Sequence, residues 1–149
     1  MKMIDLPPLW TLLFAVLAYG LARIDPWNLS LAHPVTQFLA GILIGGGVLL
    51  MLLAAAEMRR QRTTIIPHRE ADRLVQSGIF RRSRNPIYLG DVLLLAGVIL
   101  WMDAVLGLVL VPVLAWVLVR RFIIPEEDRL RRKFRADFAR YCEKARRWL

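Results

Sequence analysis

Cysteine is nearly absent. Cys142 is the single one, so no disulfide can close within the chain, and with only His33 and His68 beside it a Cys/His zinc site lacks ligands, so no metal is expected. No Gly-x-Gly-x-x-Gly turn occurs, which removes the signature of the usual soluble nucleotide-binding sheet. Acids are scarce too: 12 Asp and Glu stand against 21 Lys and Arg, a formal net charge of +9. An excess of this size can mark a nucleic-acid binder. Here, however, the charges fall almost entirely in two blocks, 57–84 and 120–147, each beginning where an apolar run stops. Membrane flanks are arranged that way, and nucleic acid is not expected as a partner.

What is present in quantity is apolar. Of the 149 residues 57% are hydrophobic and the mean hydropathy is +0.47, too apolar overall and too charged locally for an ordinary soluble domain. The expected fold is all-α: one integral membrane domain, 1–149, with about four transmembrane helices and a cytoplasmic helical cap. The helices are expected at about 6–22, 36–57, 85–102 and 104–123, with cytoplasmic segments at 58–84 and 124–149. A cleaved signal is not expected, because Lys2 is offset by Asp5 and Ala18-Tyr19-Gly20 is a poor cleavage site. Pro7 and Pro8 suit a first helical turn. Asp103 marks the turn of a tight hairpin, and Pro112 is expected to kink the fourth helix. Gly41 and Gly45 have the Gly-x-x-x-Gly spacing that lets helices approach closely. Packing within the chain is the favoured use, and a homodimer seam is the other.

Basic residues set the orientation. Arg59, Arg60, Arg62, Arg69, Arg73, Arg81, Arg82 and Arg84 lie between the second and third runs, and more follow in the tail; the other two connections hold only Arg23. Both basic segments, and both termini, are therefore expected on the cytoplasmic side of a bacterial inner membrane or an endoplasmic-reticulum-like membrane. In the first segment, Glu70 to Val75 reads as a short helix that stops at Ser77-Gly78. In the tail, Pro125 followed by Glu126, Glu127 and Asp128 reads as a helix start, with Leu130, Phe134, Phe138 and Tyr141 at helical spacing. Acids in a first turn need no ligand, so on spacing alone the two glutamates stay open between capping and binding. Asp91 lies inside the third apolar run, where a carboxylate marks either function or a headgroup-level ion pair.

Two stretches together resemble the isoprenylcysteine carboxyl methyltransferase and phospholipid methyltransferase superfamily of integral membrane enzymes. "LVQSGIFRRSRNPIYLG" is similar to that family's Leu-Val, Gly-aromatic and Arg-His/Asn-Pro-x-Tyr-x-Gly pattern. "IIPEEDRLRRKFRADFARYCEKARRWL" is similar to its Glu-Glu block, its Phe-Gly-x-x-Tyr-x-x-Tyr stretch and its Arg-Trp ending. The resemblance implies a methyltransferase that uses S-adenosyl-L-methionine on a lipophilic acceptor reached from the lipid bilayer, with a carboxylate of isoprenylcysteine type or a phospholipid amine as the methylated group. Matched position by position, it implies a cofactor site from His68, Leu74, Val75, Gly78, Arg84, Asn85, Tyr88, Glu126 and Glu127. The catalytic candidates are Glu127, Asp91 and Arg84. The chain departs from the pattern at Asn85, where many relatives have His, at Arg135 in place of Gly, and at Phe138 in place of Tyr. The competing class is a non-catalytic membrane scaffold or lipid-binding protein that keeps the fold.

Overall fold

A computed structural model of the chain describes residues 6–63 and 73–149. Among these, five α-helices and no strand are found. Helix α1 is Pro7–Arg23, α2 Pro34–Arg60, α3 Pro86–Trp101, α4 Leu110–Leu118 and α5 Ile124–Lys144. Prolines open α1, α2 and α3, where a missing N–H has no partner to lose. The connection between α1 and α2 is pinned to the turn after α3: Asp103 accepts hydrogen bonds from Ser30 Oγ and from Leu31 N. Asp103 itself has φ 52°, a left-handed conformation that aspartate tolerates in tight turns.

Helix α2 is long and apolar enough to cross a membrane, and only 17% of its apolar window is buried by the rest of the chain. A soluble core helix would be covered, whereas α2 leaves Phe38, Ile42, Leu49 and Leu52 outside. In water that face would be a large apolar patch; against hydrocarbon it is matched. The continuous helical stretch Val105–Lys144 also holds an apolar window of spanning length. Helices α1 and α3 are apolar but shorter, 17 and 16 residues.

The four apolar helices pack by two different means. Around α1, α3 and α4, large side chains fill the centre: Phe14, Tyr88, Leu95, Ile99, Leu114, Leu118 and Phe122 are buried together. Between α2 and α3 the backbones themselves meet. A Cβ at Gly90 would lie 2.7 Å from Gly47 O, and one at Gly97 would lie 2.9 Å from Ala40 O. Gly41 and Gly45 take no part, since a Cβ at either would have nothing within 4 Å and both are exposed. Their expected use within the chain is thus corrected: the seam runs one helical face away, along Ala40, Gly47 and Ala54.

The fourth helix differs from expectation as well. It begins as a 3₁₀ turn, Val105–Val109, continues as α4, and widens to a π turn over Val119–Ile123 before α5. Pro112 falls just after the 3₁₀ turn has given way to α4, two residues past the start of that helix. Pro125 is what disturbs the register, because it cannot donate to the carbonyl of Arg121. Instead of starting afresh at Pro125, the tail helix grows out of α4, with Glu126 and Glu127 in its first turn. It bends at Arg135, whose φ of 41° and ψ of −111° suit glycine and strain any other residue. Leu130, Phe134, Phe138 and Tyr141 do share a face: Phe138 and Tyr141 are buried, with Leu130 and Phe134 packed against them. Of the expected short helix 70–75, residues 70–72 lie outside the described residues and 73–75 are not helical. A 3₁₀ turn, Gly78–Arg81, follows instead.

Candidate active site

Three segments converge where α3 begins: the stretch 73–85, the first turn of α5, and the chain just beyond α5. Backbone pairing fixes the third against the first. Ser83 and Arg146 form an isolated parallel bridge, with Arg84 N donating to Arg146 O at 2.9 Å. Asn85 Nδ2 donates to Arg147 O at 3.0 Å, and its own N–H donates to Ser83 Oγ. Tyr141 adds a further tie, its hydroxyl donating to Phe80 O at 2.7 Å.

Arg84 sits at the centre and is mostly buried. Its Nη1 donates to two carbonyls at the end of α5, Ala145 O at 2.7 Å and Cys142 O at 3.3 Å. Those carbonyls are the electron-rich end of the helix, a natural seat for a cation. Its Nη2 reaches Glu127 Oε1 at 3.1 Å, while Nε is buried with no partner. Glu127 is also held by Arg147 through both oxygens, Nε to Oε1 at 3.2 Å and Nη2 to Oε2 at 2.7 Å. Burial alone would raise the Glu127 carboxyl; the hydrogen bonds and charges of Arg147 and Arg84 outweigh it and hold the group below its usual range. Arg147 is correspondingly raised by its hydrogen bonds to Glu127.

One residue earlier the same turn behaves oppositely. Glu126 Oε2 accepts from the Tyr88 hydroxyl at 2.9 Å, and burial pushes its carboxyl up despite that bond and nearby Arg129. Neighbouring carboxyls are thereby driven apart, one toward the neutral and one toward the charged form. Tyr88 lies against Phe122, ring centroids 6.1 Å apart. One turn deeper on α3, Asp91 is 1% exposed. Its Oδ1 accepts from Thr11 Oγ1 of α1 at 3.0 Å, and Oδ2 is buried without a partner. A carboxylate so placed among apolar helices is costly to keep and marks function by default.

The remaining candidates divide. Leu74 packs against the Phe138–Tyr141–Ala145 cluster, close to the Arg84 centre. Val75 is buried in a separate cluster with Ala54 and Phe80. Gly78 has φ 59°, and a Cβ there would lie 2.9 Å from Glu57 Oε2, so its backbone abuts the end of α2. His68 lies outside the described residues. Reading the sequence missed Arg147 and Thr11 as functional partners. Arg147 carried a signal in the Arg-Trp ending; Thr11, one hydroxyl in an apolar run bonded 80 positions away, carried none.

A family model for phospholipid methyltransferases matches residues 35–137 of the 149. The chain belongs to the phospholipid methyltransferase family. That family falls within the isoprenylcysteine carboxyl methyltransferase-like superfamily of integral membrane methyltransferases. Neither the curated proteins nor the solved structures contain a match to the chain. The matched stretch runs from α2 into α5 and carries Arg84, Asn85, Tyr88, Asp91, Glu126 and Glu127. Outside it lie the two partners that sequence reading missed, Thr11 and Arg147.

Proposed function

We propose that this phospholipid methyltransferase family member transfers a methyl group from S-adenosylmethionine to a lipophilic acceptor drawn from the bilayer. The observation that supports it most is the Arg84 centre: a buried guanidinium with one unpartnered N–H, beside a charged Glu127 and a Tyr88–Glu126 pair. The residues present fit the cofactor. Arg84 Nε offers a donor to its carboxylate, Glu126 offers an acceptor to its hydroxyls, and the Tyr88 ring offers a π face to a cation. Nη1 and Nη2 of Arg84 are already engaged, so a two-point hold on a carboxylate requires Glu127 or the Ala145 carbonyl to yield. S-adenosylmethionine, when bound, supplies the electrophilic methyl. The chain's own work is to align the acceptor, exclude water, and take a proton where the acceptor carries one. Asp91, oriented by Thr11, is the group placed to do the last. Its free Oδ2 accepts a donor and repels an anion, which favours an amine acceptor over a carboxylate.

The same reading has four crossings, with α1 and α3 completing the span by means of their flanks, and with both basic segments on the cytoplasmic side. A cysteine introduced at Asn28 should then be labelled by an impermeant reagent from the far side, and native Cys142 should not. Equal labelling of both would remove the topology.

The decisive measurement is a calorimetric titration of the purified protein with S-adenosylhomocysteine. Arg84→Lys, Asn85→Ala and Glu127→Gln should each weaken binding, by roughly 1–3 kcal/mol for Arg84→Lys. Arg81→Lys and Arg82→Lys should leave it alone. No heat at millimolar ligand with the native protein would instead indicate a lipid-binding scaffold that keeps the fold.

A further inference from the structure

A second concavity lies away from the Arg84 centre, between the cytoplasmic end of α2 and the Gly78 turn. Its volume is about 380 Å³, within the usual range for small-ligand sites, and it is lined by Leu53, Ala56, Glu57, Arg60, Ile79 and Arg82. The lining is divided by chemistry. Leu53, Ala56 and Ile79 form an apolar wall, and Arg60 and Arg82 supply two cations. Glu57 is largely spent inside the protein, accepting from Ser77 Oγ and Gln61 Nε2, and it reaches Arg60 only at 3.9 Å. The Arg82 side chain is exposed and has no hydrogen-bond or ion-pair partner among the described residues, its backbone N–H alone being engaged, with Ile79 O. Two weakly committed guanidinium groups at the mouth of an apolar cleft complement an anion carried on a hydrocarbon chain.

The path for that chain is visible along α2. Leu49, Leu52 and Leu53 are 55%, 62% and 47% exposed on the outer face of this membrane-length helix, and the strip they form runs directly into the cleft. Arginines at a helix end commonly snorkel to headgroup level, but snorkelling needs no cavity between them. Here the cavity exists, and Gly78 with φ 59° is what turns the chain so that Ile79 and Arg82 face the end of α2.

We infer that this cleft binds a glycerophospholipid, its phosphate between Arg60 and Arg82 and an acyl chain along Leu53, Leu52 and Leu49. The fork of each guanidinium matches phosphate oxygens, and the apolar wall matches the first methylenes of the chain. Of the residues implied for the cofactor site only Gly78 borders this cleft; Arg84, Asn85, Tyr88, Glu126 and Glu127 do not line it.

The test uses the full-length protein in detergent, with lipid retention read by native mass spectrometry. The probes are phosphatidylglycerol, diacylglycerol with the same chains, and inorganic phosphate. Phosphatidylglycerol should be retained and diacylglycerol should not. Inorganic phosphate should not displace the lipid, because it lacks the chain. The Arg60→Gln/Arg82→Gln double variant should weaken retention roughly tenfold. Ala56→Trp, which fills the cleft without changing charge, should do the same, and all three positions are exposed, so folding is not at stake. Arg131→Gln/Arg132→Gln removes equal charge from α5 and should change nothing. Retention that is equal in all variants, or equal for diacylglycerol and phosphatidylglycerol, overturns the inference. A native protein that retains phosphatidylglycerol here but ignores S-adenosylhomocysteine would fail the methyltransferase reading alone.

Discussion

The membrane-embedded half and the cap are held together by different physics. Between α2 and α3 the contact is backbone against backbone, made possible by Gly47, Gly90 and Gly97, with no charge involved. In hydrocarbon, apolar side chains gain little by leaving lipid for protein, so close approach and dispersion must do the holding. The cap is fixed instead by a few directional links that converge on Arg84 and Glu127. Such links are expensive to break singly because each leaves a buried charge behind. The contrast shows where each kind of contact is used. Shape complementarity sets how closely the helices lie, and shared hydrogen bonds set which residues meet in the cap.

Substitutions can take the two halves apart separately. The largest loss is expected from Glu127→Gln, which leaves Arg84 and Arg147 without their common anion. Arg147 is 40% exposed and recovers much of its loss in water, so the cost should be about 2–3 kcal/mol, read as thermal unfolding in detergent and as new protease cleavage within the tail. Gly90→Ala comes next, about 1–3 kcal/mol, because the added methyl meets the Gly47 carbonyl; Gly45→Ala, facing open space, should cost nothing. If the two alanines are equivalent, the seam is not where α2 and α3 meet. Arg135→Gly runs the other way and should stabilise the tail by about 1 kcal/mol by relieving its positive φ.

The smallest effect is that of pH. The folded Glu127 carboxyl titrates below its ordinary value of 4.5, so its contribution is complete above that value and disappears as the pH falls through the lower, folded one. Glu126, which is raised, acts in the opposite sense and loses stability as the pH rises through its folded value. The acid limb of the native protein's stability should therefore shrink in Glu127→Gln and persist in Glu126→Gln.

Much of the helical content was readable from hydropathy, because a run such as 36–57 has no alternative to a helix in lipid. The exact seam was not. Gly41 and Gly45 have the familiar spacing, yet which face of α2 meets α3 depends on Gly90 and Gly97, glycines of another run. The conformation over 119–123 was equally hidden, since it arises from the missing N–H of Pro125 acting on a turn before it. At the site, the residue types of the Arg-Asn-Pro-x-Tyr and Glu-Glu stretches marked a charged centre. Their pairing could not be read, because Tyr88 takes Glu126 and Arg84 takes Glu127, a choice made by helical phase. Arg135 was the departure that carried structural meaning: the chain bends there although glycine is missing.

Arg84 waits a long time for its partners. The Ala145 carbonyl that receives it lies 61 residues further along the chain. At ordinary rates of synthesis that separation is about 3–12 s, during which the guanidinium has none of the partners that hold it in the folded chain. Only after the tail emerges can Glu127, Arg147 and the end of α5 close over it. The cap is therefore a late product of biogenesis, assembled only once the last residues of α5 have been made.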